Sequence, residues 1–383
     1  MPLLLPLDLP SSQTLPIHLN GSLGANRAQG SGKQISAETD LEAIRLWLSE
    51  YEDSPHTYRS YRKEVSRLLI WSIRVLGKPV SSLTREDLLV YESFLVVPPS
   101  EWTNPEQTRR GKDRRLFDGP LSPRSQRQAM RILSGFFGYL VEAGYLAGNP
   151  LALRRRRNRD NASRKRVIER YLDQALWQSV LCFIETLPKE SRRDREHYER
   201  VRWLFRLLYG TALRVSEVAV ARSSDLVLRR EKWWLQVIGK GGVVGDIPVS
   251  AKLLADLTRY RRFNGLSDIP ETGENTPLIL SIKGRANRSV TPAAIFLMVK
   301  EVFRRAADDL ADEDPAAAER LRRASPHWIR HTSATHQADA GNDLRFIQKN
   351  LRHASIETTS IYLHAEDDLR HDMTTKRETA ITH

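Results

Sequence analysis

The sequence predicts a mainly α-helical protein with a small antiparallel β-sheet, folded as two domains. Three observations carry this reading. Apolar residues recur at three- and four-residue spacing along most of the chain, as they do in helices with one buried face. Only residues 233–249, WWLQVIGKGGVVGDIPV, set strand formers on both sides of a glycine-rich turn. Residues 154–166, RRRRNRDNASRKR, hold eight cations in thirteen positions against one anion, Asp160, and such a run cannot build a core. At 383 residues the chain is long enough for a separate core on each side of that break.

Taken in order, residues 1–38 are rich in Pro, Gly, Ser, Asn and Gln and read as a flexible N-terminal arm. A helical domain follows at 39–150. Leu41, Ile44, Leu48 and Tyr51 mark one helix, and Tyr58, Tyr61, Val65, Leu68 and Leu69 a second. Thr84 is the expected N-cap of a third. Residues 97–121 contain four prolines and a basic cluster and read as a long loop. Ser122-Pro123 then opens a helix whose Ala129, Ile132, Leu133, Phe136, Phe137 and Leu140 form one stripe. Arg124, Arg127 and Arg131 stand on its other face, either as a solvated surface or as contacts for a polyanion. Gly148-Asn149-Pro150 is a stop signal. The linker, 151–167, includes Arg154, Arg155, Arg156, Arg157 and Lys165. A soluble spacer and a nuclear-localisation tract are open readings of it, but its place between two domains suits a strap along a phosphate backbone, where neutralised phosphates release counterions. The second domain runs from 168 to 383.

Lys and Arg outnumber Asp and Glu by 60 to 47, a net charge of +13 with a pI near 9.9, which favours a polyanionic partner without separating DNA, RNA and acidic membrane. No run of 18 apolar residues argues for a membrane span. The opening MPLLLPLDLP lacks a basic region and carries three prolines, so it is a poor secretory signal. One cysteine, Cys182, excludes an intramolecular disulfide and a cysteine zinc cage; it is expected as a small core residue in a reducing cytoplasm.

The chemistry concentrates in the second half. Arg214 in TALRVSE sits in an apolar segment with Glu217 as a partner three residues on. In SPHWIRHTSATH, Ser325 and Pro326 open a helix that places His327 and Arg330 on one face. His331 completes a spacing of four histidine-to-histidine, but Trp328 stands where a zinc protease carries its glutamate, so no metal is expected and His331 and His336 read as structural. The GKGG turn lacks the spacing of a nucleotide-binding loop. With His353 in LRHAS and Tyr362 in TTSIYLH, the inventory is two guanidiniums, two imidazoles and a phenol. That set suits metal-free attack on a phosphodiester by tyrosine, because the phosphate must be held and neutralised before an oxygen nucleophile can approach.

In order, TALRVSE, GKGG, HWIRHTSATH and LRHASIETTSIY resemble the catalytic domain of the tyrosine recombinases, the phage integrase family. His353 lies 23 residues beyond Arg330 and Tyr362 nine beyond His353, close to the family's intervals. The resemblance implies that Arg214 and Arg330 clamp the scissile phosphate, Tyr362 attacks phosphorus, His327 is the base, Lys240 the acid on the leaving 5′ oxygen, His353 a phosphate donor and Glu217 a support. A free tyrosine, with a pKa near ~10, needs that positive field and a proton acceptor. It implies a 3′-phosphotyrosine intermediate with no cofactor, and a C-shaped DNA clamp whose helical core-binding domain, SAM-like, is residues 39–150. It implies as partner a double-stranded DNA with inverted-repeat core sites, bound by a homo-tetramer or by a hetero-tetramer with a related recombinase, in the cytoplasm on the bacterial nucleoid. Leu363, Leu369, Met373 and Ile381 read as a short apolar tail for a neighbouring protomer. A type IB topoisomerase and a DNA-binding regulator that has lost cleavage are the rival readings. Three departures stand out: Val243, Val244 and Gly245 replace the usual basic residues of the hairpin; Arg352 replaces a glycine, altering the turn or adding a phosphate contact; and 97–121, 186–200 and 305–325 are longer than a minimal member needs.

Overall fold

The computed structural model describes residues 15–30, 32–103, 116–154, 170–239, 244–271, 273–282 and 288–352. The chain divides into two units, residues 1–158 and 159–383, each with its own core. Lys240, His353, Tyr362, Arg155, Arg156, Arg157, Lys165 and the apolar tail lie outside the described residues. Among the described residues no helix is long and apolar enough to cross a membrane.

The first unit contains α1 (Ile17–Asn20), α2 (Asp40–Ser49), α3 (Pro55–Trp71), α4 (Arg85–Val96) and α5 (Pro123–Glu142). Thr39 and Thr84 cap α2 and α4 in capping boxes, and the Ser122 hydroxyl accepts from Ser125 at the start of α5. The predicted stripe of α5 is buried along its whole length, against Trp47, Trp71 and Tyr91 in one aromatic core. Trp102 and Phe117, both inside the predicted loop of 97–121, are buried in that core as well. Arg67 fixes the returning end: its guanidinium donates twice to the Leu116 carbonyl, at 3.0 and 2.8 Å, lies over the Phe117 ring and pairs with buried Glu64 at 3.3 Å.

Residues 15–38 differ from the expected free arm wherever the structure describes them. Asn26 bonds Gly148 through both side-chain atoms, at 2.7 and 3.1 Å, and its carbonyl accepts from the Ala147 amide. Arg27 stacks over the Tyr145 ring at 3.8 Å, and the Gln34 amide donates to the Ala143 carbonyl. Buried Asp40 accepts from the Ser81 amide and the Tyr145 hydroxyl, and burial raises its pKa. Gly21 (φ 87°) lies so close to that carboxylate that a Cβ would stand 2.2 Å from it. The segment is fixed through backbone and polar side chains, which leave no apolar periodicity to read.

The second unit contains α6 (Gln174–Glu185), α7 (Arg192–Thr211), α8 (Val215–Val220), β1 (Leu226–Arg229), β2 (Lys232–Ile238), β3 (Val244–Pro248), α9 (Ala251–Phe263), α10 (Pro292–Asp309), α11 (Pro315–Arg323), α12 (Pro326–Asp339) and α13 (Leu344–Leu351). The strands form one antiparallel sheet in the order β1-β2-β3, with Leu226, Leu235 and Ile247 in register and Leu235 and Ile247 in the core. β1 was not expected; its four residues are too few to show alternation. Cys182, expected in the core, is exposed on the outer side of α6, whose inner side buries Leu176, Trp177, Val180, Leu181 and Ile184.

Arg67 and Glu64 are both buried, and although Lys63 also reaches Glu64 at 3.0 Å, removing the Arg67 guanidinium takes away the buried partner of Glu64 and both donors to the Leu116 carbonyl. Arg67→Met is expected to weaken this part of the first unit by about 3 kcal/mol, read as faster native-state hydrogen exchange at the α3 amides. Unchanged protection would show that the pair does not hold the loop.

Candidate functional site

The site is built on a corner. α7 stops at Thr211 because Ala212 takes the left-handed conformation, φ 50°, and the chain re-enters helix at Val215 with Arg214 as N-cap. Arg214 therefore lies at the break between two helices rather than inside one. Glu217, only 6% exposed, turns back on it: one carboxylate oxygen accepts from the Arg214 amide at 2.7 Å and the other from Nη1 at 2.9 Å. The Arg214 side chain is 40% exposed, so its other edge opens to solvent.

α12 runs past this corner. Pro326 occupies its first turn after Ser325, which caps by backbone geometry without a side-chain hydrogen bond. Arg330 is 2% exposed and donates through Nη1 to the Ala212 carbonyl at 2.6 Å and through Nη2 to the Leu351 carbonyl. It thereby ties the α7–α8 corner to the end of α13. Behind it Ala212, Ala334, Ile347 and Leu351 form a small apolar cluster that fixes the same three elements. His327 is exposed at its outer edge, and its ring meets His331 edge to face at 4.4 Å. Its pKa is lowered, first by desolvation at the packed base of the ring and then by the guanidiniums of Arg330, Arg214 and Arg170. A neutral imidazole beside two arginines is able to accept a proton while they hold an anion.

Four predicted residues thus converge: Arg214, Glu217, His327 and Arg330. His331 and His336 are buried, and the Tyr209 hydroxyl lies 3.0 Å from His336 Nδ1, as suits a structural role. Arg124, Arg127 and Arg131 are exposed along α5 of the first unit. Arg154 is paired with Glu92 at 3.2 Å, which Arg85 also contacts. Two features go beyond the sequence reading, which noted Arg352 as altering the turn or adding a phosphate contact but not its contact with Glu217. Arg352 enters the site, donating through Nη2 to Glu217 at 2.5 Å. Burial lowers its pKa, and Glu217 opposes that. A cleft of about 1060 Å³ elsewhere in the second unit is lined by Arg192, Arg193, His197, Arg200 and Arg288 and holds none of the predicted residues.

The profile of the phage integrase family matches residues 181–368. The tyrosine recombinase XerC of Erythrobacter litoralis is 32% identical over 247 residues, 64% of this chain and 70% of that protein. XerC of Xanthomonas campestris is 25% identical over 86% of both chains. In fold, the chain is similar to the XerH site-specific recombinase bound to a palindromic difH substrate, with a TM-score of 0.58, 16% identity and 91% of both chains covered. It is similar too to the Tn1549 transposon integrase in complex with transposon right end DNA, with a TM-score of 0.56, 19% identity, and 87% of this chain and 98% of that one covered. With the family profile matched over its second half and a tyrosine recombinase 32% identical over most of that protein's length, the chain belongs to the phage integrase family of tyrosine recombinases.

Proposed function

We propose that this protein is a site-specific DNA recombinase that cleaves and rejoins strands through a 3′-phosphotyrosine intermediate, using neither metal nor ATP. The observation that carries the reading is the convergence of Arg214, Arg330 and His327 on one corner of the second unit, with an open edge on Arg214. Two guanidiniums bind the non-bridging oxygens of the scissile phosphate and offset charge as it builds on phosphorus. His327 takes the proton of Tyr362 as the phenolic oxygen attacks, and the P–O bond to the 5′ carbon breaks with Lys240 protonating the departing oxygen. His353 donates to the phosphate. The ester formed on Tyr362 conserves the energy of the bond that was cut, so a 5′-hydroxyl from a second duplex reverses the step.

That solved recombinases of similar fold are bound to DNA supports a duplex substrate. Arg124, Arg127 and Arg131, together with the linker cations, supply phosphate contacts. Strand exchange between two inverted-repeat sites needs four active sites, hence a tetramer on DNA, working in the cytoplasm of a cell that carries a mobile element or resolves its own chromosomes.

Incubating the protein with fragmented genomic DNA and denaturing it is expected to leave DNA attached to Tyr362 without any added cofactor. Sequencing that DNA identifies the site. Tyr362→Phe abolishes the adduct, and Arg214→Ala lowers the single-turnover cleavage rate by about 10²–10³-fold; an adduct that survives Tyr362→Phe would sink the reading.

His327 supplies an independent measurement. With its folded-state pKa lowered, the imidazole is neutral at pH 7 and its contribution to stability is lost as pH falls through the ordinary histidine value of about 6.5. Its NMR titration midpoint in the DNA-free protein is expected below that value, to move up in Arg214→Ala, which removes one repelling cation, and to move up when phosphate of DNA is bound. A downward shift in Arg214→Ala would contradict the arrangement.

A further inference from the structure

Arg352 is an unusual residue for its position. It closes α13 in the left-handed conformation, φ 51°, which costs a side-chain-bearing residue on the order of 1 kcal/mol that glycine avoids. Its side chain is nonetheless 8% exposed and passes so close to Gly245 on β3 that a Cβ there would lie 2.6 Å from Arg352 Cδ. Among the described residues, Nη2 is the one guanidinium nitrogen with a partner, Glu217; Nε and Nη1 are buried without one. Arg261 in the same unit shows the ordinary arrangement. Its Nε, Nη1 and Nη2 all donate, to Glu274, Ser267 and Ser223, and it engages both oxygens of Glu274. Among the described residues, all of Arg352's side-chain hydrogen bonding falls on one carboxylate that already holds Arg214.

That carboxylate presents a difficulty for phosphate binding. An Arg–Glu pair is neutral, so Arg214 held by Glu217 alone would offer an incoming anion little net charge. We propose that Arg352 is a positioning residue for the phosphate site: by sharing Glu217 it compensates the carboxylate and leaves the exposed edge of Arg214 with its positive charge undiminished. Two guanidiniums on one carboxylate carry a net charge of +1, and the buried one cannot turn outward because β3 packs against its aliphatic stem. Arg352 acts on phosphate through Glu217, because its one bonded guanidinium nitrogen is committed to that carboxylate and its stem is held against β3.

This inference rests on the recombinase reading for its biological meaning, but its test needs no DNA. Inorganic phosphate is titrated against the full-length protein and followed at the Arg214 side-chain Nε–Hε resonance, with melting temperatures recorded for every variant. Arg352→Gly, which suits the left-handed backbone, is expected to weaken phosphate binding about tenfold, the effect of one uncompensated charge a short distance away. Arg352→Lys keeps a cation on Glu217 and stays near wild type. The decisive variant is Arg352→Gly with Glu217→Gln: removing the surplus carboxylate restores most of the lost affinity. A merely structural Arg352, or one that touched phosphate directly, would leave the double variant as weak as Arg352→Gly or weaker, and either result would overturn the proposal. Should Arg352→Gly fail to fold, Gly245→Ala displaces the same side chain and is expected to weaken phosphate binding in the same direction; unchanged binding would again overturn it. If wild type binds phosphate and the variants behave as stated while no adduct forms on Tyr362, the recombinase reading fails and the charge-sharing arrangement stands.

Discussion

The buried carboxylate of Glu217 is the constraint on which the second unit's site depends. A carboxylate taken out of water must find opposite charge and hydrogen-bond donors, or it costs several kcal/mol. Glu217 meets that demand with the Arg214 amide, the Arg214 guanidinium and the Arg352 guanidinium. These contacts decide where α8 begins, which way Arg214 faces and how the end of α13 meets β3. Arg330 reaches the same corner from the opposite side through the Ala212 and Leu351 carbonyls. The two arginines proposed to hold the phosphate are therefore positioned by different chemistry, one by a carboxylate and the other by peptide carbonyls.

Both backbone departures around this site occur at residues with side chains. Ala212 and Arg352 take left-handed conformations, and each ends a helix whose last carbonyls or following turn contact an arginine. Strain of this kind persists only where the surroundings over-determine it. Here the apolar cluster of Ala212, Ala334, Ile347 and Leu351 does so, joining the corner, α12 and α13 immediately behind the polar groups. A dry, rigid backing lets the guanidiniums keep their directions before any anion arrives, which lowers the reorganisation that binding would otherwise require.

How much of this was legible in the sequence depends on what holds each part. The stripe on α5 and the caps at Thr84 and Ser122 rest on periodicity and local chemistry, and both are visible in one dimension. Arg214 and Arg330 are 116 positions apart, and only the order of the motifs suggested that they meet. The strap at 15–38 was misread because backbone bonds and single polar side chains carry it. Cys182 was misread because its apolar neighbours Leu181 and Phe183 hid its place on the exposed side of α6, one turn from Gln178 and away from the buried stripe. The partnership of Arg352 with Glu217 is a contact between residues 135 apart, and no local rule predicts it.

Charge shows the same division between amount and placement. The chain's excess of 13 cations says that a polyanion is favoured, but many of its arginines are already matched locally, as Arg304 is by Glu301 and Asp308, Arg262 by Asp268 and Arg229 by Asp246. Such exposed pairs contribute little to stability and remove charge from the surface field. Arg154 belongs with them through Glu92. The row of Arg124, Arg127 and Arg131 does not: these side chains stand exposed on α5 with no ion pair among the described residues. Spacing of three and four puts them on one helical edge, so their charge adds along a line instead of cancelling in pairs. A phosphate backbone presents charge in that linear form, and the edge of α5 is better matched to it than the net charge alone would indicate.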